Sequence, residues 1–213
     1  EHMMYYFRFI AYLFMAIVFS SAHAGAYEDF FRAVNVDNVR TVNQLLERGF
    51  DPNAADEKGQ VGLYLALREG SLQVAEALLK HPGLKVDAVN AADETPLMMA
   101  ALRGNLEWTQ RLLDRGAQLN RKGWTPLHYA ASGPEPKVVS SLLDRGAEIE
   151  ARSPNGTTPL MMAARYGAYD AAERLLARGA DPRARNDLGL GAADFARQGD
   201  REALAVKLEQ AAR

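Results

Sequence analysis

TPLMMAALRGNLEWTQRLLDRGAQLN runs from Thr95 to Asn120, TPLHYAASGPEPKVVSSLLDRGAEIE from Thr125 to Glu150, and TPLMMAARYGAYDAAERLLARGADPR from Thr158 to Arg183. Such tandem self-similarity decides the fold class before any element is assigned, because it marks a repeat array. Two weaker copies precede these three, EDFFRAVNVDNVRTVNQLLERGFDPN from Glu28 and VGLYLALREGSLQVAEALLK from Val61. A last half-copy, GAADFARQGDREALAVKLEQ, begins at Gly191, and successive starts lie 33, 34, 30, 33 and 33 residues apart.

One copy has a physical reading of its own. Thr at the first place accepts from amides of the first helical turn, and the following Pro has a φ suited to that turn. A short helix therefore begins there, with small pairs Ala100 and Ala101, Ala130 and Ala131, Ala163 and Ala164 that permit close helix approach. Gly70, Gly104 and Gly167 fit a left-handed cap at its end. A second helix carries Val74, Leu78 and Leu79, or Trp108, Leu112 and Leu113, or Leu175 and Leu176, at helical spacing. Trp108 is read as core, and Met98, Met99, Met161 and Met162 as fillers of core gaps. Gly49, Gly116, Gly146 and Gly179 suit a left-handed position after the second helix. No copy buries its apolar side alone, so the copies must stack into a solenoid.

These residues, TPLHYAA with LLDRGAEIE at a period near 33, resemble the ankyrin repeat. The resemblance covers Ala26 to Arg213. It implies an all-α solenoid of about five repeats plus a C-terminal capping half-repeat, with short β-hairpin fingers. It also implies binding of another protein along the concave face, with no catalysis. In such chains the residue before Thr and the two after the Ala pair project onto that face. Here those places hold Gln60, Glu94, Trp124, Thr157 and Leu190, then Arg68, Glu69, Leu102, Arg103, Ser132, Arg165 and Tyr166. Trp124, Tyr166, Arg165 and Arg103 stand out, since Trp, Tyr and Arg carry most interface binding energy.

Departures from the pattern carry expectations too. The finger from Asn120 to Thr125 is three residues shorter than its neighbours, so it should be stunted. Pro134 and Pro136 in SGPEP should re-angle or shorten the start of the following helix. Phe30 and Phe31 at one end, and Asp200, Arg201, Glu202, Lys207 and Glu209 at the other, mark capping repeats. Asp51, Asp87 and Asp181 recur in phase and read as a repeat element, neither a carboxylate pair nor a calcium site.

Composition narrows the function. With 25 Lys and Arg against 27 Asp and Glu there is no strong positive field for nucleic acid. With no cysteine there is no disulfide, thiolate nucleophile or cysteine-held metal. Beyond the first 24 residues only His81 and His128 remain, and no HExxH, GxSxG, phosphate-binding loop or GxGxxG occurs. His128 fits the family's structural histidine, and His81 a solvated loop. No cofactor and no metal are expected. Residues 1–24 have one positive charge at Arg8, an apolar stretch of 11 residues from Phe9 to Phe19, and the ending Ala22, His23, Ala24. That is the build of a cleaved signal peptide, too short for a spanning helix of about 20 residues. Glu1 and His2 before two methionines resemble a vector remnant. The expectation is an exported, periplasmic binding module over residues 25–213, monomeric, acting as an inhibitor such as an immunity protein or as a scaffold. Open alternatives are a membrane-tethered adaptor with its leader retained, and an enzyme or small-ligand-binding protein on the same stack.

Overall fold

A computed structural model describes Met15 and residues 22–213. The expected signal peptide and vector remnant therefore lie outside the described residues, apart from Met15 and residues 22–24. Among the described residues the chain forms helices and no named strand: α1 (22–35), α2 (Val39–Glu47), α3 (Gly62–Glu69), α4 (Leu72–Lys80), α5 (Pro96–Leu102), α6 (Leu106–Asp114), α7 (Pro126–Ser132), α8 (Pro136–Asp144), α9 (Pro159–Tyr166), α10 (Ala171–Ala177), α11 (Ala192–Gln198) and α12 (Glu202–Ala211). Each copy supplies a pair, and the last copy carries both of its helices.

The first helices start where the sequence says. The hydroxyls of Thr95 and Thr158 accept from the amides of Met98 and Met161 at 3.3 Å, with Pro in the first turn. First helices α3, α5, α7, α9 and α11 stack side by side, and α6, α8 and α10 form a second row. Between the rows lie Leu97, Leu127 and Leu160 from the TPL motifs and Leu112, Leu142 and Leu175 from the second helices, each at most 1% exposed. Burying each of these leucines stabilises by roughly 2 kcal/mol. Trp108 is core as expected, 2% exposed, with the Arg111 guanidinium 4.5 Å from its ring centre.

Three expectations need revision. The fingers are tight turns, and only two contain a single antiparallel bridge, Ala55 with Val61 and Arg185 with Gly191. Gly70 and Gly104 have φ of 78° and 70°, but Gly167 is extended at φ −69°. Its role is space: a Cβ there would sit 2.3 Å from the Ala131 carbonyl oxygen. Pro136 does not shorten its helix, since α8 spans nine residues like α4 and α6, with Glu135 as its cap. Pro suits a first turn because its missing N–H would have been unpaired there.

Candidate functional site

The fingers are held by one recurring device. Asp56, Asn90, Ser153 and Asn186 each donate their amide to the carbonyl four residues on, at 2.9, 3.1, 3.0 and 2.9 Å. Their own side chains accept from the amides of Gln60, Glu94, Thr157 and Leu190. The finger at 120–124 has neither bond, which matches its missing three residues. It is tied to its neighbours instead. Arg121 donates to the Asp93 carbonyl and carboxylate at 2.6 and 2.9 Å. Asn120 donates to the Gly146 carbonyl and accepts from the Glu148 amide, both at 2.9 Å.

The recurrent aspartates divide into two roles. Asp51 and Asp181 accept from the amides of Asn53 and Arg183 within their own turns. Asp87 reaches across to the Gln118 amide at 3.0 Å, as Glu150 reaches the Asp181 amide at 2.8 Å. These roles are structural, and among the described residues no acidic or histidine cluster could hold a metal.

On the face made by first helices and fingers, Leu102, Trp124, Ser132 and Tyr166 come together, joined by His128, Tyr129 and Met162. They line an apolar cleft of about 240 Å³. Trp124 stands edge-on to His128, ring centres 5.2 Å apart, and Tyr166 is 52% exposed with the Arg165 guanidinium 4.9 Å from its ring centre. Arg165 also donates to Gln198 at 2.8 Å. Arg103, next to Leu102, is exposed.

Other residues expected on the face are placed differently. Thr157 is 2% exposed, so its side chain is not presented to a partner; its carbonyl accepts from His128 instead. Glu94 is tied down, accepting from the Tyr64 hydroxyl at 2.7 Å, the Tyr129 hydroxyl at 2.8 Å and Asn90 at 2.8 Å. Burial opposes the Glu94 charge, but these three hydrogen bonds outweigh it and hold its pKa below the usual glutamate value. Burial and the same bonds push both phenols upward. Gln60, Arg68 and Glu69 form a separate cluster, with Arg68 donating to Glu69 at 2.7 Å and to Gln60 at 3.2 Å.

Tyr129 and Met162 were not picked out as face residues. Both occupy the fifth place of the TPL motif, where Met99 is buried, so only their larger reach or exposure distinguishes them. His128 is wholly buried. Its Nδ1 accepts from the Thr125 amide at 3.1 Å, and its Nε2 donates to the Thr157 carbonyl at 2.9 Å. With both nitrogens engaged it is not a free base. The His81 Nδ1 accepts from the Gly83 amide at 3.1 Å within its own turn.

A family model described as ankyrin repeats (3 copies) matches residues 30–122, 83–153 and 120–186. Among curated relatives, the chain is 36% identical over 157 residues to the human SH3 and multiple ankyrin repeat domains protein 2, covering 71% of this chain and 8% of that one. It is 31% identical over 161 residues to the Gallus gallus nuclear factor NF-kappa-B p105 subunit, covering 72% and 16%. The chain thus spans less than a fifth of the length of these relatives. Among solved structures it resembles a chain from the complex of a predatory endopeptidase from Bdellovibrio bacteriovorus with an immunity protein. The TM-score is 0.71 at 25% identity, over 85% of this chain and 97% of that one. Ankyrin repeats serve as protein-protein interaction modules, and the phase of the motif, the stacked helix pairs and the family match agree that this chain belongs to the ankyrin repeat family.

Proposed function

We infer that this chain is an exported, periplasmic binding module that docks one partner protein on the face formed by its first helices and fingers, and that docking inhibits the partner as an immunity protein does. The observation that carries this is the cleft of Leu102, Trp124, Tyr129, Met162 and Tyr166, where a half-buried Trp and an exposed Tyr stand on a rigid helical stack. Aromatic anchors in a preformed site bind with little loss of conformational freedom. The likeness to the endopeptidase complex supports inhibition over scaffolding. The leader-like residues 1–24 support export, with cleavage after Ala24. The engaged histidines support a non-catalytic role.

The test is affinity capture from periplasmic extract on the immobilised protein, beside the Trp124→Ala/Tyr166→Ala variant. A near-stoichiometric protein lost on the variant supports the docking face. If its enzymatic activity falls on adding the chain, the role is inhibition; activity that is unchanged or protected makes it a scaffold. Partners that ignore the variant remove the face.

A further inference from the structure

The stunted finger opens a second feature of the same face. Gln118, Arg121, Lys122 and Gly123 of that finger, with Asp93 from the finger before and Arg152, Ser153 and Pro154 from the finger after, line a notch of about 810 Å³. Its charge is unbalanced. Asp93 is the lining carboxylate, and it pairs with Arg121 at 2.9 Å. Arg152 is held by carbonyl oxygens, those of Gly156 at 3.0 Å and Arg185 at 2.8 Å, and Lys122 is exposed. Neither makes an ion pair with a carboxylate among the described residues. Arg152 is therefore a fixed positive charge that needs no reordering on contact, and Lys122 a mobile one beside it.

We propose that this notch receives an acidic loop of the partner protein, one carrying two or more carboxylates. The proposal rests on the reading that this face docks a protein. Charge complementarity selects the occupant: two cations outside any close ion pair among the described residues, with Asp181 the carboxylate within electrostatic reach of Arg152, line a recess large enough for several side chains, two residues from the apolar anchor Trp124. Nucleic acid is disfavoured by the chain's net charge of −2. The shortened finger thus adds a charged register to the apolar cleft, fixing how the partner lies on it.

The probe is a dye-labelled oligoglutamate peptide, followed by fluorescence anisotropy on the full chain at low ionic strength. Binding should weaken at least about ten-fold in Lys122→Glu, which breaks no contact, and further in Lys122→Glu/Arg152→Glu. It should be unchanged in Lys58→Glu, an equal charge reversal on the first finger. No peptide binding, equal binding by Lys122→Glu, or an equal loss in Lys58→Glu would overturn the notch. So would tighter, Lys122-dependent binding of a DNA duplex. Capture of a protein that depends on Trp124 and Tyr166 while the peptide fails leaves the docking face standing and removes the notch. Peptide binding that depends on Lys122, with capture indifferent to the cleft, does the reverse.

Discussion

His128 joins two repeats: its Nε2 donates to the Thr157 carbonyl 2.9 Å away while its Nδ1 accepts from the amide of Thr125. Burial pushes its pKa below the ordinary 6.5, so the folded protein holds it neutral. The unfolded chain takes up the proton first as pH falls, so this stability is complete above about pH 6.5 and is lost below it. Between pH 6.5 and 5 the His128 contribution should fall as the unfolded chain takes up the proton. Denaturant melts across that range measure it. His128→Met, which copies Met98 and Met161 in the same place, should flatten that part of the profile; an unchanged slope would mean that His128 protonates in the folded state.

Glu94 binds the hydroxyls of Tyr64 and Tyr129 and so spans three repeats. Glu94→Gln should cost about 1 to 3 kcal/mol of stability. A cycle with Tyr129→Phe should show coupling of about 0.5 kcal/mol or more, because the two share one bond. Additive losses would break this account of the cluster.

Two glycines should behave unequally. Gly49→Ala places a Cβ in open space at φ 88° and should cost about 1 kcal/mol. Gly167→Ala drives a Cβ against carbonyl oxygens of Ala131 and Ala163 at 2.3 and 2.8 Å, which the backbone relieves only by moving a neighbouring helix. It should cost at least about 2 kcal/mol, read by thermal melting. Equal losses would deny the close approach.

Along the second helices, Leu112→Ala and Leu175→Ala should cost about 2 to 5 kcal/mol each, since both side chains are 0% exposed. Leu176 is only half-buried, and its truncation should cost less. Matched melts of Leu175→Ala and Leu176→Ala check the phase of α10.

The repeat, its caps and its core were legible because each rests on a local rule repeated in phase. Thr95 and Thr158 cap because a hydroxyl three residues from an amide has nowhere better to bond, and Leu112 is buried because its helix has one apolar stripe. The face was less legible. Thr157 and Trp124 hold the same place in the motif, yet one is buried beneath its finger and the other stands at the end of a shortened one. Glu94 looked free because its partners, Tyr64 and Tyr129, lie 30 and 35 residues away. Gly167 read as a left-handed cap because sequence shows where glycine stands, while the Ala131 carbonyl that requires it comes from the preceding repeat.

The central claim is that a partner anchors on the cleft of Trp124 and Tyr166. Trp124 packs on His128, so its loss also touches stability; Tyr166 is 52% exposed and gives the cleaner test. The decisive measurement is calorimetric titration of the captured partner into wild type and Tyr166→Ala, with melting temperatures of both. The account predicts binding weakened by about 1 to 4 kcal/mol at an unchanged melting temperature. Unchanged affinity in Tyr166→Ala would contradict it.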